Sequence, residues 1–174
     1  MSRPTIRPTD REIFFDADDV IVSKTDLKGI ITYANDVFLG IAGYREAEVL
    51  GQPHNLIRHP DMPRAVFALL WQEVQAGREI FAYVKNMAKS GDYYWVLAHV
   101  TPSRDLSGKV VGYHSNRRTP ERRAVAAVAP LYDTIRKLEQ AQASPKDGLA
   151  AGIGAIEQHL SSLGVSYGEF IFSL

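Results

Sequence analysis

Cysteine is absent from the 174 residues. That excludes disulfides, iron–sulfur clusters, thiolate ligation of haem and any covalent adduct between a thiol and a bound cofactor. A charge bias is missing too: Lys and Arg number 20, Asp and Glu number 20, and the pI is about 7.0. The chain therefore lacks the electrostatic footprint of a binder of nucleic acid or of an acidic membrane surface. No apolar run approaches the roughly 18 residues that cross a bilayer, and the start, MSRPTIRPTDRE, has no apolar core of a secretion signal. The expectation is a cytoplasmic protein with no membrane span and no nucleic-acid partner. Catalytic signatures are missing as well: there is no Gly-x-Ser-x-Gly elbow, P-loop, His-Glu-x-x-His or obvious pair of carboxylates. An enzyme is not expected.

What is present reads as globular, with 45% hydrophobic and 23% charged residues, enough for one ordinary domain and some additional helix. Residues 1–18 carry Pro4 and Pro8 and a small apolar cluster, Ile13, Phe14 and Phe15, and read as an extended arm. VIVSKTDLKGIITYAND alternates on either side of the turn-rich Asp26–Gly29, which predicts a β-hairpin. From Asp36 to Leu50, Phe38, Ile41 and Tyr44 recur at helical spacing with Gly43 interrupting, so short helices follow, ended by Gly51. In PRAVFALLWQEVQAG, Val66, Phe67, Leu70, Trp71 and Val74 form one helical face, with Pro63 suited to the first turn and Gly77 to the end.

Three strands are then expected, Ile80 to Met87, Tyr93 to Ser103 and Val110 to Arg117, joined through KSGD and RDLSGK, both of hairpin-turn chemistry. Short turns force an antiparallel meander. The fold class is therefore α+β: a five-stranded antiparallel sheet with short helices on one face over residues 19–118, then a C-terminal helical hairpin over 119–174. The first of those helices starts near Thr119–Pro120–Glu121 and runs to about Gln142, with a break or kink at Pro130. Ser144, Pro145 and Asp147 start the second. Along it Leu149, Ile153, Ile156, Leu160 and Leu163 make a narrow 4-3-4-3 seam, closed by Gly164, that pairs either within the chain or across a homodimer. The tail VSYGEFIFSL is too apolar to stay in water and is expected to pack back on the domain or on a second subunit.

The stretch GQPHNLIRHPDMP, residues 51–63, concentrates polar chemistry on a chain stiffened by Pro53, Pro60 and Pro63, each of which fixes one backbone angle. Taken alone it is a loop tied by its own hydrogen bonds, with Asp61 capping the helix at Pro63, Asn35 capping after a strand, and Asn86 at a strand end. His54, His99 and His114 are scattered and form no metal-ligand spacing.

Together, TDLKGIITYANDVFLGIAGYREAEVLGQPHNLIRHPDMP, FALLWQEVQAG, VKNMAKSGDYYWVLAHVTP and GKVVGY resemble a PAS domain, and within that family are most similar to the flavin-binding PAS domains of bacterial aerotaxis transducers. The resemblance runs from about Ser23 to Tyr132. It implies a PAS fold and non-covalent FAD, with the segment matching Arg58, His59 and Asp61 needed for FAD binding and the asparagines matching Asn35 and Asn86 around the isoalloxazine pocket. Arg58 can make charge-assisted contacts to a phosphate, and each asparagine offers a donor and an acceptor to a flavin edge. Trp71 is added to this cofactor-binding set, while Trp95 reads as core. Two departures stand out. Ile80, beside Phe81, occupies the position of a tryptophan in the transducers, and those proteins continue into membrane and methyl-accepting segments that this sequence does not contain. The function implied is a redox or oxygen sensor of the energy-taxis kind that signals through its C-terminal helices to a separate downstream protein. A cofactor-free PAS module for interaction or dimerisation, and a haem-binding PAS sensor, remain the alternatives.

Overall fold

Two strands, β1 (Ile21–Thr25) and β2 (Ile31–Ala34), form the expected hairpin. Its turn is closed by the Asp26 side chain, which accepts from the Lys28 and Ile30 N–H groups, and by Gly29 at φ 78°. Glycine also suits the position because a Cβ would stand 3.0 Å from the Trp71 ring, a tight contact. The computed structural model describes residues 6–174, so Pro4 of the N-terminal arm lies outside the described residues.

Two short helices follow, α1 (Asp36–Ala42), ended by Gly43 in the left-handed region, and α2 (Glu46–Val49). A 3₁₀ turn spans His54–Ile57, and α3 (Arg64–Gln75) comes after it. Then β3 (Ile80–Met87), β4 (Tyr93–Arg104) and β5 (Val110–Arg118) make the antiparallel meander, and the five strands lie in the order β2-β1-β5-β4-β3. The register puts Ser23 opposite Ser115, Ile21 and Ala98 opposite Arg117, and Ala82 opposite Ala98. Because side chains alternate along a strand, these residues share the inner face, under α3 and the 3₁₀ turn.

The outer face of β3 and β4 carries Phe81, Tyr83, Trp95 and His99. There α4 (Arg122–Gln140) packs its buried Tyr132 against Trp95, 6.2 Å between rings, and donates the Tyr132 hydroxyl to the Tyr83 carbonyl at 2.8 Å. The helix is continuous through Pro130, which corrects the expected break. Proline deprives one carbonyl, that of Ala126, of its helical donor, and both residues face water, which can replace it. α5 (Pro145–Leu163) begins as expected, with Ser144 accepting from the Asp147 N–H, and ends at Gly164. Leu149, Ile153, Ile156 and Leu160 of its seam lie partly buried against this chain's own core, while Leu163 is exposed. The apolar tail forms α6 (Tyr167–Ser173), which returns to the sheet with Phe170 and Ile171 buried and Phe172 edge-on to Phe81. Ile80, at one of the noted departures, is buried with Val74, Val100 and Tyr113.

The described part of the arm, from residue 6, forms no helix. Its residues lie beside the start of β4, through Thr9 N–H to the Gly91 carbonyl and Ile13 N–H to the Tyr93 carbonyl. Asp92 anchors it, accepting from Thr9 and Arg11; these hydrogen bonds, Arg11 first, hold its carboxyl down to about 2.

Candidate functional site

Between the inner face of the sheet and the helices lies a cavity of about 620 Å³, within the roughly 300–1,000 Å³ in which proteins enclose cofactor-sized ligands. Its apolar walls are Phe67, Leu70 and Trp71 of α3 with Val84, Ala98 and Val100 of the sheet. Its described lining contains three cationic residues, Lys28, Arg58 and Arg117, and no carboxylate.

Arg117 dominates the electrostatics. It is 3% exposed on the central strand β5, where burial pushes its guanidinium down to about 10. One terminal nitrogen donates to Ser23 Oγ at 2.8 Å and lies 2.6 Å from His54 Nε2; the other, Nη1, is buried without a partner. Since the guanidinium can only donate, His54 must accept through Nε2. Burial, and then the Arg117 charge, hold that ring neutral, pushed down to about 3. Two more cavity-lining groups are buried without partners: Asn86 Nδ2 on β3 and Ser115 Oγ on β5. Buried donors left unsatisfied cost free energy of order 1–3 kcal/mol each, and more for a charged one. Three such groups facing one cavity could meet the acceptors of an electron-rich ligand.

The proline-rich stretch divides between two faces. Arg58 turns to the cavity, its guanidinium 4.3 Å above the Phe67 ring and donating to the Met62 carbonyl at 3.3 Å, while its backbone bridges to Asn86 at the β3 edge. His59 and Asp61 point away from the cavity. Asp61 pairs with Lys85 at 2.7 Å, and that ammonium lies 4.2 Å above the Tyr93 ring. His59 is 2% exposed; its Nδ1 accepts the Asp61 N–H at 3.1 Å, and burial, then Lys85, push it down to about 4. Asp61 does not cap α3.

Of the residues singled out in the sequence, then, Arg58, Trp71 and Asn86 line the cavity, whereas His59, Asp61 and Asn35 do not. Asn35 is consumed by backbone: Oδ1 accepts from Val22 and Phe38 N–H groups and Nδ2 donates to the Val20 carbonyl, which fixes the β1 entry and the start of α1. Arg117, His54, Ser23 and Ser115, not assigned to a cofactor from the sequence, also line the cavity. Trp95 is core, as read. No cluster of three metal-ligating side chains occurs among the described residues.

A second, more open groove of about 880 Å³ meets the cavity at Asn55 and Arg58. It runs between the proline-rich stretch and the α4–α5 junction, and Arg58, Arg64 and Arg136 line it against a single described carboxylate, Glu139.

The family model described as PAS fold matches residues 31–117. The aerotaxis receptor of Escherichia coli (strain K12) is 45% identical over 118 residues, 68% of this chain and 23% of that protein. The nitrogen fixation regulatory protein of Klebsiella pneumoniae is 30% identical over 99 residues, 57% of this chain and 20% of its own. The chain thus spans under a quarter of these relatives' length. Among solved structures, the light state of the blue-light photoreceptor Aureochrome1 LOV aligns with TM-score 0.55 at 24% identity, over 67% of this chain and 91% of that one. The PAS domain of a protein from Colwellia psychrerythraea aligns with TM-score 0.54 at 21% identity, over 58% and 86%; at such identities the likeness is one of fold.

Proposed function

Since the chain belongs to the PAS fold family, we propose that it is a sensor that binds FAD non-covalently in the cavity on the inner face of its sheet and reports the redox state of that flavin to a separate signalling protein. The observation that carries the reading is the buried Arg117, with no carboxylate in the described lining, beside the unpartnered Asn86 Nδ2 and Ser115 Oγ in one cavity. The likeness to an aerotaxis receptor supports it.

A bound flavin would supply the electron chemistry, with charge and protonation at the polar edge of its ring changing with redox state. The protein does the rest. Trp71, Phe67 and Leu70 offer apolar surface to a planar ring. Arg117, held in place by Ser23 and His54, would hold a fixed positive charge beside a bound flavin, which would favour its more negative, reduced state. Asn86 can turn its amide either way, exchanging donor for acceptor. Because the Asn86 backbone also bridges to Arg58, such a turn reaches the proline-rich stretch directly. Asn86→Ala is therefore expected to retain flavin but to abolish any difference in protease protection of α4–α5 between oxidised and reduced protein. Protection that still follows redox state in that variant removes Asn86 from the relay.

The adjoining basic groove supports the dinucleotide over smaller flavins. Three arginines can neutralise a pyrophosphate, and the groove meets the cavity at Arg58. Arg136→Ala is expected to weaken FAD roughly tenfold and leave riboflavin affinity unchanged, as read by flavin fluorescence titration. Equal loss for both ligands contradicts this placement.

A further inference from the structure

The first turn of α3 has no cap of its own. Pro63 stands at the N-cap position and provides no side-chain hydrogen bond, so the N–H groups of that turn need acceptors from elsewhere. They find them 75 and 74 residues away: the Glu139 carboxylate, on the last turn of α4, accepts the Arg64 N–H at 2.9 Å and the Ala65 N–H at 2.8 Å. The Glu139 side chain is 5% exposed and its Oε2 lies 3.8 Å from Arg64 Nε. Two glycines of α5 make room for it. A Cβ at Gly148 would collide with the Glu139 carbonyl oxygen, and one at Gly152 would stand 2.5 Å from Glu139 Oε1. The Arg64 guanidinium also donates to the Pro145 carbonyl, at the start of α5. The carboxylate thus ties the end of α4 to the start of α3, the Arg64 side chain ties the start of α5 to the same turn, and α5 packs against Glu139 through Gly148 and Gly152.

The other side of α3 is cavity wall. Arg58, which faces the cavity, donates to the Met62 carbonyl, two residues before the capped turn, and lies over Phe67 of the same helix. An acceptor drawn against Arg58 from the cavity side would compete with that carbonyl, two residues before the N–H groups that Glu139 accepts.

We infer that Glu139 is a latch: it fastens the α4–α5 hairpin to the first turn of α3, so that filling the cavity and releasing the hairpin are linked through one helix. The linkage is reciprocal, and whatever factor the ligand applies to hairpin opening, opening of the latch applies to ligand affinity. The coupling rests on the flavin reading above; the latch itself does not.

Hydrogen exchange of the full chain, resolved by peptide, separates the two. Without flavin, Glu139→Ala is expected to speed exchange of α5 amides roughly 10- to 100-fold with β3, β4 and β5 unchanged. Gly152→Val, which crowds the carboxylate from the α5 side, should do the same with Glu139 in place, and it decides the matter if Glu139→Ala loses protection everywhere. Unchanged α5 protection in Gly152→Val overturns the latch. With FAD added to wild type, exchange of α5 and of the first turn of α3 is expected to change together. FAD that binds without altering α5 exchange overturns the coupling and leaves the flavin reading intact. Wild type that takes up no FAD overturns the flavin reading and the coupling with it, while the flavin-free arm still judges the latch.

Discussion

Arg117→Met is expected to lower flavin affinity by about 100-fold and at the same time to leave the folded protein as stable as wild type or more so. The two effects point in opposite directions because of where the charge sits. Arg117 is enclosed on the central strand with no carboxylate among the described residues of its cavity, and its Nη1 has no partner. An apolar side chain of similar length removes that desolvation cost at the loss of the bonds to Ser23 and His54 and of the contact with the Phe38 ring. For a chain of this size each kcal/mol corresponds to roughly 2–4 °C in Tm. The neighbours left behind do not become orphans, since Ser23 Oγ and His54 Nε2 are already 3.0 Å apart. If Arg117 were a packing residue, the substitution would lower stability and leave binding alone. Calorimetry and a flavin titration on one sample distinguish the cases.

The second large effect is acid sensitivity of the flavin-free protein. His54 and His59 are held neutral in the fold at about 3 and about 4, burial being the first cause for both. In the unfolded chain each returns to about 6.5 and takes up a proton as pH falls below that value. A histidine whose folded pKa is the lower one binds more protons when unfolded, so native stability falls as pH drops from about 6.5 towards about 4. At 1.36 kcal/mol per pH unit per proton, the two histidines together should remove about 2–4 kcal/mol between pH 6.5 and 5. Asp61, 3.5 Å from His59, offsets part of this for one of the two. The urea midpoint measured across that range is expected to fall steadily, and the slope to shrink by about half in His59→Gln. A midpoint that stays flat to pH 5 contradicts the burial of these rings.

Much of the scaffold could be read from local chemistry. Asp26–Gly29, KSGD and RDLSGK are turns because of their side chains, and a meander follows from short turns alone. The break that Pro130 allowed for does not occur, for a local reason: the rule against proline inside a helix supposes that the deprived carbonyl has no other partner, and here Ala126 and Pro130 are both exposed. The site was half readable. Arg58, Trp71 and Asn86 stand in stretches of strong pattern, and all three line the cavity. Arg117 hid because β5 is polar on both of its phases: Tyr113, Ser115 and Arg117 alternate with His114, Asn116 and Arg118, so a period of two shows two faces without saying which is inside. Only the register opposite Ile21 and Ala98 places Arg117 inward. Asn35 and Asn86 look alike in sequence, yet one is spent on three backbone groups and the other keeps a free donor, a difference set by tertiary surroundings. The same holds for Glu139, which reads as a helix-surface charge until α3 is brought against it.

The claim beneath all of this is that the cationic cavity on the inner face of the sheet is a flavin site. The visible spectrum of the protein, purified and then refolded with excess FAD and freed of unbound ligand, tests it most directly. The account predicts a yellow protein with flavin bands at about one equivalent per chain, and Arg117→Met colourless under the same treatment. A wild-type protein that stays colourless, or that shows a Soret band instead, contradicts it.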